Sequence, residues 1–447
     1  MTFEELLKLI EDSKPYFTAN AELVELSEGT TIPYVADLVS QEFSSPNSRR
    51  EIFNRIIGLP VAKKIVNKLS ETYTEAPVRH SENDQEIVDL ISDQTDINCV
   101  MEQANKYLEA CGSAMLELFT DGEGLRLRAI APSDFLVHSD DLYDPDSKPT
   151  MIIKRMGEEW WYVITRDFRY HIIDGKIAGE IEGNELGLTN FVYLKKGSKL
   201  TPPINEELKQ LSVVPSVILS AMNAGLLYTS HSLMATIGLQ PTQGEDGQKS
   251  KLEYSPRSII SLEPTQEGTS GTLQVIEPKI KLAETMQFIG DKITSFLALN
   301  DVRSNLIEGN NSASGIAKAI DNSDSSIQTL KSQTFFQKVE QELWNKIATY
   351  NNWLVDNTRF VGSKFTPDFE ISIQFKTPQP MVSQKERIEV NRSLLDAGLI
   401  TKKRALQELF PYETEEMIDA RIAELNEQTQ NMANIFSNNN EEDEDDA

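Results

Sequence analysis

The sequence has few cysteines and few histidines. Cys99 and Cys111 are the only thiols among 447 residues, which is too few for the disulfide framework of a small secreted domain. Neither cysteine has neighbours at metal-ligand spacing, and the four histidines are scattered, without a His-Glu-x-x-His helix. The opening Met1-Thr-Phe-Glu-Glu lacks the basic start of an export signal. We therefore expect a reducing compartment, no metal and no cofactor.

The chain also lacks an excess of basic residues. It carries 43 Lys and Arg against 70 Asp and Glu, which gives a formal net charge of −27. A protein that grips duplex DNA normally has a basic domain, because neutralisation of phosphates supplies most of its affinity. The acidity fits a wall along which DNA slides without adhering. It fits equally an ordinary protein whose charge promotes solubility.

Long uninterrupted hydrophobic runs are absent. Gln210 to Gly244 contains no charged residue, but its apolar part from Val213 to Tyr228 is interrupted by Pro215 and polar side chains. It falls short of the roughly twenty apolar residues that span a bilayer. We predict one helix from Pro215 to Ile237, about 34 Å long at 1.5 Å per residue. Its small residues include Ser216, Ser220 and Ala224, and they would allow a neighbouring helix to approach closely.

Two further amphipathic helices are predicted between Pro278 and Asp356. The first places Met286, Ile289 and Ile293 on one face, and the second has the same spacing of apolar residues. The polar tract from Arg303 to Asn322 joins them. At about twenty residues it is longer than most connections within compact domains, which indicates a mobile segment or a contact segment.

Phrases along much of the chain carry a resemblance to a known family. Three segments occur in the order that the family has for its stem helix, tunnel loop and long helix. They are Ile293-Thr-Ser-Phe-Leu-Ala-Leu-Asn300, the tract containing Gly309-Asn-Asn-Ser-Ala-Ser-Gly315, and Phe335-Phe-Gln-Lys-Val-Glu-Gln-Glu-Leu-Trp344. In these phrases the chain resembles tailed-bacteriophage portal proteins of the long-tailed type. The likeness continues in Asn67–Val78, Gly124–Asp134 and Leu395–Thr401. It has no catalytic signature, because that family has none.

The resemblance implies an α+β fold whose parts serve a ring oligomer. We name these parts as the family has them. They are an α+β wing (1–203), a stem helix (204–237), a small β-rich clip (238–278), a second stem helix (279–300), a tunnel loop (301–323), a long helix with a wing strand (324–380), a helical crown (381–427) and a disordered acidic tail (428–447).

Function and partners also follow from the resemblance. It implies a homo-oligomeric dodecamer ring at one capsid vertex through which double-stranded DNA enters and leaves without sequence specificity. The expected partners are the terminase large subunit, a head-tail adaptor, and the major capsid and scaffolding proteins. The protein would be assembled in the host cytoplasm, reside in the virion, contact no membrane and catalyse no reaction.

The same resemblance assigns roles to particular residues. The stem would pack through the six small or apolar residues named above. The tunnel loop would touch DNA weakly through Arg303, Asn305, Asn310, Asn311, Ser312, Ser314 and Lys318. The clip would dock its partners through its local cations Lys249, Lys251 and Arg257, which are otherwise simply solvated.

Residue patterns predict the elements of the wing, clip and crown. Helices are predicted at Phe3–Ile10, Thr31–Phe43, Arg50–Ile57, Ala62–Tyr73 and Glu86–Leu108. Strands are predicted at Met115–Phe119, Leu125–Ile130, Met151–Arg155, Trp160–Thr165, Phe168–Ile173, Lys176–Ile181 and Phe369–Phe375, and a pair of short strands at Ser258–Leu262 and Thr272–Ile276. In the crown, Ser383-Gln-Lys-Glu386 has the capping-box pattern and Gly398 follows the helix.

An enzyme remains the alternative, namely an intracellular α+β hydrolase or nuclease with Gly309–Gly315 as a lid. Gly244-Glu-Asp-Gly-Gln-Lys-Ser250 fails as a phosphate loop because Gln248 separates glycine from lysine. Four aspartates between Asp140 and Asp146 form either a cation site or a solvated loop without the EF-hand pattern. A third reading is a virion or scaffold component that forms no channel.

Overall fold

The computed structural model describes residues 1–121, 124–141, 147–229, 233–237, 239–241, 262–264, 272–276, 282–302, 325–357, 362–376, 384–409 and 417–423. Helices and strands are mixed within these ranges, which confirms the α+β class. The chain forms two compact units, Met1–Pro378 and Gln379–Ala447.

The first part of the larger unit is helical. Thr2 opens the first helix with a capping box, in which its hydroxyl accepts from the Glu5 amide and the Glu5 carboxylate accepts from the Thr2 amide at 2.7 Å. Gly29 ends the second helix at φ 102°. The helices are α1 (Phe3–Asp12), α2 (Lys14–Glu28), α3 (Ile32–Glu42), α4 (Pro46–Phe53), α5 (Val61–Leu69), α6 (Gln85–Thr95) and α7 (Ile97–Cys111).

Several of these helices differ from the predictions. The predicted helix Glu86–Leu108 is two helices, because Asp96 adopts φ 46° between α6 and α7. The predicted Arg50–Ile57 starts earlier, since Ser45 accepts from the Ser48 amide and so caps α4. The predicted Ala62–Tyr73 leaves the α-helical path after α5 and ends in a single 3₁₀ turn. The apolar periodicity did not indicate α2.

Two antiparallel sheets form the β part of residues 113–195. One has the order β3-β2-β9 and the other the meander β4-β5-β6-β7-β8. Asp174 and Gly175 both have positive φ, which suits the tight β7–β8 turn. The strands are β2 (Ser113–Thr120), β3 (Leu125–Ile130), β4 (Phe135–His138), β5 (Met151–Arg155), β6 (Trp160–Thr165), β7 (Phe168–Ile173), β8 (Lys176–Gly183) and β9 (Phe191–Lys195). The predicted strands in this region are confirmed, whereas β4 and β9 were missed.

A separate two-stranded sheet joins distant parts of the chain. It pairs β1 (Val78–His80) with β14 (Ser372–Gln374), with Arg79 opposite Ile373. The predicted strand Phe369–Phe375 is therefore shorter than its alternation suggests, because only Ser372–Gln374 has a pairing partner. The expectation that it returns to earlier residues is confirmed.

Two short antiparallel ladders lie between the long helix that ends at Thr229 and the one that begins at Leu282. β10 (Leu233–Ile237) pairs with β13 (Thr272–Ile276), and β11 (Leu239–Pro241) pairs with β12 (Leu262–Pro264). The outgoing and returning segments of the chain are therefore paired with each other, and we call the two ladders the arms. The strand at Thr272–Ile276 is confirmed, but its partner is β10 and not the predicted Ser258–Leu262, most of which lies outside the described residues.

Three long helices precede or follow these ladders. They are α8 (Glu206–Thr229), α9 (Leu282–Leu299) and α10 (Ser326–Asn357). The prediction of one stem helix continuing to Ile237 is wrong, because the helix ends at Thr229 and the chain then pairs as β10. No helix in the described ranges combines the length and the hydropathy that crossing a bilayer requires.

Hydrophobic cores connect these elements within the larger unit. One core packs α8 and α9 against α2, α3 and α5, and another packs α10 against α6, α7 and the sheet that contains β2. A third places α1 and α2 on the five-stranded sheet through Leu6, Ile10 and Phe17. The long helices are therefore integral to the body of this unit.

The smaller unit is helical in its described residues. It contains α11 (Gln384–Asp396), α12 (Lys402–Leu409) and a helical stretch at 417–423. Gly398 follows α11 at φ 71°, and the Thr401 hydroxyl accepts from the Arg404 amide at 3.3 Å. The predicted capping residue Ser383 lies outside the described residues.

Candidate functional site

The loop and clip residues assigned from the sequence lie outside the described residues. Their assigned roles therefore stay predictions. They are Arg303, Asn305, Asn310, Asn311, Ser312, Ser314 and Lys318 of the tunnel loop and Lys249, Lys251 and Arg257 of the clip. Asp144 and Asp146 of the acidic loop also lie outside.

The stem residues assigned from the sequence come together inside one chain. All six are buried, with exposed fractions of 5% or less, and all but the serines belong to one hydrophobic core. They are Ser216, Ser220, Ala224, Met286, Ile289 and Ile293. This face of α8 and α9 is thus already occupied within the chain.

Three serines on α8 bind the backbone of the connection between α4 and α5. We call Ser212, Ser216 and Ser220 the serine row. Each hydroxyl accepts one backbone N–H bond, from Ala62 to Ser212 at 2.8 Å, from Leu59 to Ser216 at 3.0 Å and from Ile57 to Ser220 at 2.9 Å. All three serines are fully buried. The row therefore satisfies two amides of the connection and one amide in the first turn of α5, where the helix supplies no acceptor.

Helical spacing explains why serines four residues apart can bind successive amides of an extended segment. Residues four apart on a helix are separated by about 6 Å along its axis, close to the roughly 6.6 Å between alternate residues of an extended chain. Ile57 and Leu59 can therefore each meet a hydroxyl one helical turn apart. The Ser216 and Ser220 hydroxyls also donate to the carbonyls four residues earlier, at 2.9 and 2.6 Å. The i, i+4, i+8 repeat was visible in the sequence, but its partner was not.

The end of α9 is closed by its own backbone. The Val302 amide donates to the Leu297 carbonyl at 2.9 Å, and the Asp301 amide donates to the Ala298 carbonyl at 3.1 Å. This is the Schellman pattern, with Asp301 at φ 61° where glycine is usual. Val302 is 1% exposed. The chain thus enters residues 303–324 from a well-defined point.

The start of α10 is held beside that point. Lys331 forms an ion pair with Asp301 at 2.5 Å. Ser325 donates to the Glu71 carboxylate, which also pairs with Lys68 at 3.0 Å. Both ends of residues 303–324 are therefore clamped next to each other.

A buried carboxylate anchors the middle of α10. Glu340 is fully buried and accepts from the Arg79 guanidinium at 2.6 and 2.9 Å and from the Tyr73 hydroxyl at 2.7 Å. Burial, followed by the Glu340 charge, raises the pKa of Tyr73 well above its usual value, so the phenol stays a donor. The helix that follows residues 303–324 is thereby tied to β1 and the wing. Sequence periodicity did not single out Glu340.

Exposed apolar side chains occur on the long helices, as they also do on β6, β7 and β8. Five of them lie on α8, α9 and the first turns of α10. They are Val214 (40% exposed), Phe288 (56%), Leu299 (76%), Ile327 (41%) and Leu330 (45%).

A cavity of about 1580 Å³ lies among the start of α1, the five-stranded sheet, β9 and α10. Its wall mixes apolar side chains such as Phe168 with charges of both signs such as Lys338 and Glu342. In the described part of the chain, no group of three or more His, Cys, Asp or Glu is placed to hold a metal ion. Whether the protein is an enzyme is left untested by this geometry, and the absence of catalysis stays a prediction.

Comparisons with known proteins give distant structural likenesses. No family model matches the chain, and no curated protein matches it. Among solved structures, it is similar to a chain of the virion of a native gene transfer agent particle, with 12% identity over 84% of this chain and 98% of that one, at a TM-score of 0.38. It is also similar to a chain of the neck of an empty gene transfer agent particle, with 12% identity over 82% and 94% and a TM-score of 0.33.

Proposed function

We propose that the protein is the subunit of a portal ring, a channel at one capsid vertex through which double-stranded DNA is packaged and ejected. The clamp between Asp301 and Lys331 is the observation that carries this proposal. It holds the described residues on either side of 303–324 next to each other, and these residues would frame a loop that faces the channel. The sequence phrases that resemble portal proteins fall on the same elements.

The frame around the loop is suited to transmit or resist force. α9 closes with a buried Val302, and α10 is held by the buried Glu340. Arg303 and Lys318 would meet the DNA backbone transiently, while the neutral Asn and Ser side chains would hold phosphate weakly. A chain of charge −27 would keep DNA from adhering to the remaining wall.

Lateral association would cover the exposed apolar side chains of the long helices. Because the serine row faces the connection between α4 and α5, we assign the contact with a second copy to Val214 and Phe288. Burying these two side chains between copies would be favourable. By the portal resemblance, the ring would be a dodecamer.

The two arms β10–β13 and β11–β12 would carry the clip away from the ring body. In this proposal the clip docks the terminase large subunit during packaging and a head-tail adaptor afterwards. The wing and crown would meet the major capsid and scaffolding proteins. ATP hydrolysis would belong to the terminase, and the virion would be the final location after assembly in the host cytoplasm.

Imaging of the purified protein tests the proposal directly. Negative-stain microscopy and native mass spectrometry should show rings of many copies with a central opening wide enough for a duplex. A protein that remains monomeric at high concentration, or a ring with no such opening, would contradict the proposal.

A loop replacement tests the role of residues 303–324. Replacing them by a short Gly-Ser linker should leave ring assembly intact, because the Asp301–Lys331 clamp lies outside the replaced segment, and should reduce packaging or retention of DNA. Insertion of the same Gly-Ser linker into the exposed β7–β8 turn, between Asp174 and Gly175, serves as the control. Unchanged DNA filling in the loop variant would refute the assigned role.

A further inference from the structure

One short part of this acidic chain has the opposite charge. Between residues 43 and 70 the sequence has one acidic residue, Glu51, whereas residues 1–42 contain nine acidic and two basic residues. The cations of the basic part are Arg49, Arg50, Arg55, Lys63, Lys64 and Lys68. We call α4, α5 and the connection between them the basic stripe.

The contacts with the serine row hold the basic stripe parallel to the surface of α8. The Asn223 amide donates to the Arg55 carbonyl at 3.5 Å and the Ala62 amide donates to Ser212 at 2.8 Å. Ser212 and Asn223 are eleven residues apart on α8, which corresponds to about 17 Å along the helix axis. The cations of α4 and α5 therefore flank a straight segment of about that length.

Some of these cations lack a partner among the described residues. Arg55 pairs with Glu51 at 3.3 Å and Lys68 with Glu71 at 3.0 Å. Arg50 and Lys63 are exposed and form no ion pair in the described ranges. The Nε of Arg49 is buried there without an acceptor.

Helix α1 presents the complementary charge elsewhere on the same unit. Leu6 and Ile10 bury one face against the five-stranded sheet. The exposed remainder carries Glu4, Glu5, Glu11 and Asp12 with Lys8 as its single cation. Its ten residues span about 15 Å, close to the length of the basic stripe. α1 and the stripe belong to different hydrophobic cores.

We propose that the acidic face of α1 in one copy docks on the basic stripe of a second copy. The two surfaces differ, so the contact is head-to-tail, and such contacts close into rings when the rotation allows. Charge complementarity would select this register and suppress the symmetric face-to-face dimer. The inference rests on the proposed ring and names its electrostatic contact.

Charge reversal on each side tests the docking. One variant carries Arg50→Glu with Lys63→Glu, and the other carries Glu4→Lys with Asp12→Lys. Each alone should weaken association at least about tenfold, since two exposed pairs are lost and replaced by repulsion. Raising the salt concentration should weaken the wild-type contact and relieve the repulsion in the variants.

Combining the variants gives the decisive measurement. A 1:1 mixture should restore assembly, because alternating copies place every acidic surface against a basic one. The chain carrying all four substitutions should also assemble alone. Lys176→Glu with Lys199→Glu reverses two exposed lysines outside the stripe and should leave assembly unchanged, and circular dichroism confirms that each variant is folded.

The outcomes separate this inference from the proposed function. Wild-type rings together with normal assembly of both reversal variants would overturn the docking and leave the ring standing. So would folded reversal variants that fail to assemble and are not rescued by mixing or by the fourfold substitution. Wild-type protein that is monomeric at every salt concentration would overturn the proposed function itself.

Discussion

The serine row on α8 and the Glu340 anchor on α10 solve the same problem in different ways. Both attach a long helix to a distant part of the chain in a buried environment. The serines use neutral hydroxyls to satisfy backbone amides one at a time. Glu340 uses one full charge that is held by a guanidinium and a phenol.

The difference lies in how each attachment should fail. Losing one serine leaves one amide unpaired and its neighbours intact, so the damage is local. Losing the Glu340 charge leaves Arg79 uncompensated, and its side chain is only 7% exposed. The ionic anchor should therefore break as a unit. The predictions below start with that anchor.

The largest effect is expected for Glu340→Gln. The substitution keeps the size of the side chain but leaves the buried Arg79 charge without a counter-charge. This should lower the free energy of unfolding by about 3–5 kcal/mol. Chemical denaturation of the full chain measures it. Glu182→Gln removes the same charge from the exposed Arg169–Glu182 pair and should cost less than about 1 kcal/mol. Equal losses in the two variants would show that Glu340 is no anchor.

Ser216→Ala should have the next largest effect. It leaves the Leu59 amide without an acceptor, at a cost of about 1–3 kcal/mol. The matched control is Ser295→Ala on α9, where an exposed hydroxyl donates only to the Asp291 carbonyl four residues earlier. The same denaturation experiment compares them. If the control loses as much stability, the contact with Leu59 contributes nothing.

Asp301 sharpens the comparison at the clamp. Asp301→Val should destabilise by about 1–2 kcal/mol, because a β-branched residue is strained at φ 61°. Asp301→Gly relieves the strain but gives up the half-exposed pair with Lys331, so the net change should lie within about 1 kcal/mol. Limited proteolysis within residues 303–324 is a second readout. Greater tolerance of valine than of glycine would contradict the left-handed closure.

The smallest effect is a dependence on pH at Glu109. Burial raises its pKa, although the neighbouring Lys196 opposes this. Its contribution to stability is therefore fully present below the pKa of the unfolded chain and is lost as the pH rises through the raised native pKa. Glu109→Gln should flatten that part of the pH profile. A flat profile in the wild type would contradict the prediction.

Local patterns succeeded where a residue's neighbours in sequence decide its state. The residue patterns of Met151–Arg155 and Trp160–Thr165 predicted β5 and β6. The apolar spacing of α9 predicted which side of that helix is buried. In each case the side chains that matter lie within a few residues of one another.

The same patterns failed where a distant partner decided the outcome. The uncharged run after Pro215 reads as one helix to Ile237, yet the chain leaves the helix at Thr229 because Leu233–Ile237 has β13 as a partner. Phe369–Phe375 alternates throughout, but only Ser372–Gln374 pairs with β1. Pairing energy comes from the second strand, which the first strand's sequence does not contain.

Amino-acid sequence by itself determined the α+β composition, the strong negative charge, the positions of most strands and the buried faces of the stem helices. Each of these depends on side-chain polarity repeated at short range. Only the tertiary structure decided that the serine row binds Ile57 to Ala62, that Glu340 holds Arg79 and Tyr73, and that Asp301 meets Lys331. These contacts join residues separated by 30 to 267 positions, so they exist only once the hydrophobic cores have brought the helices together.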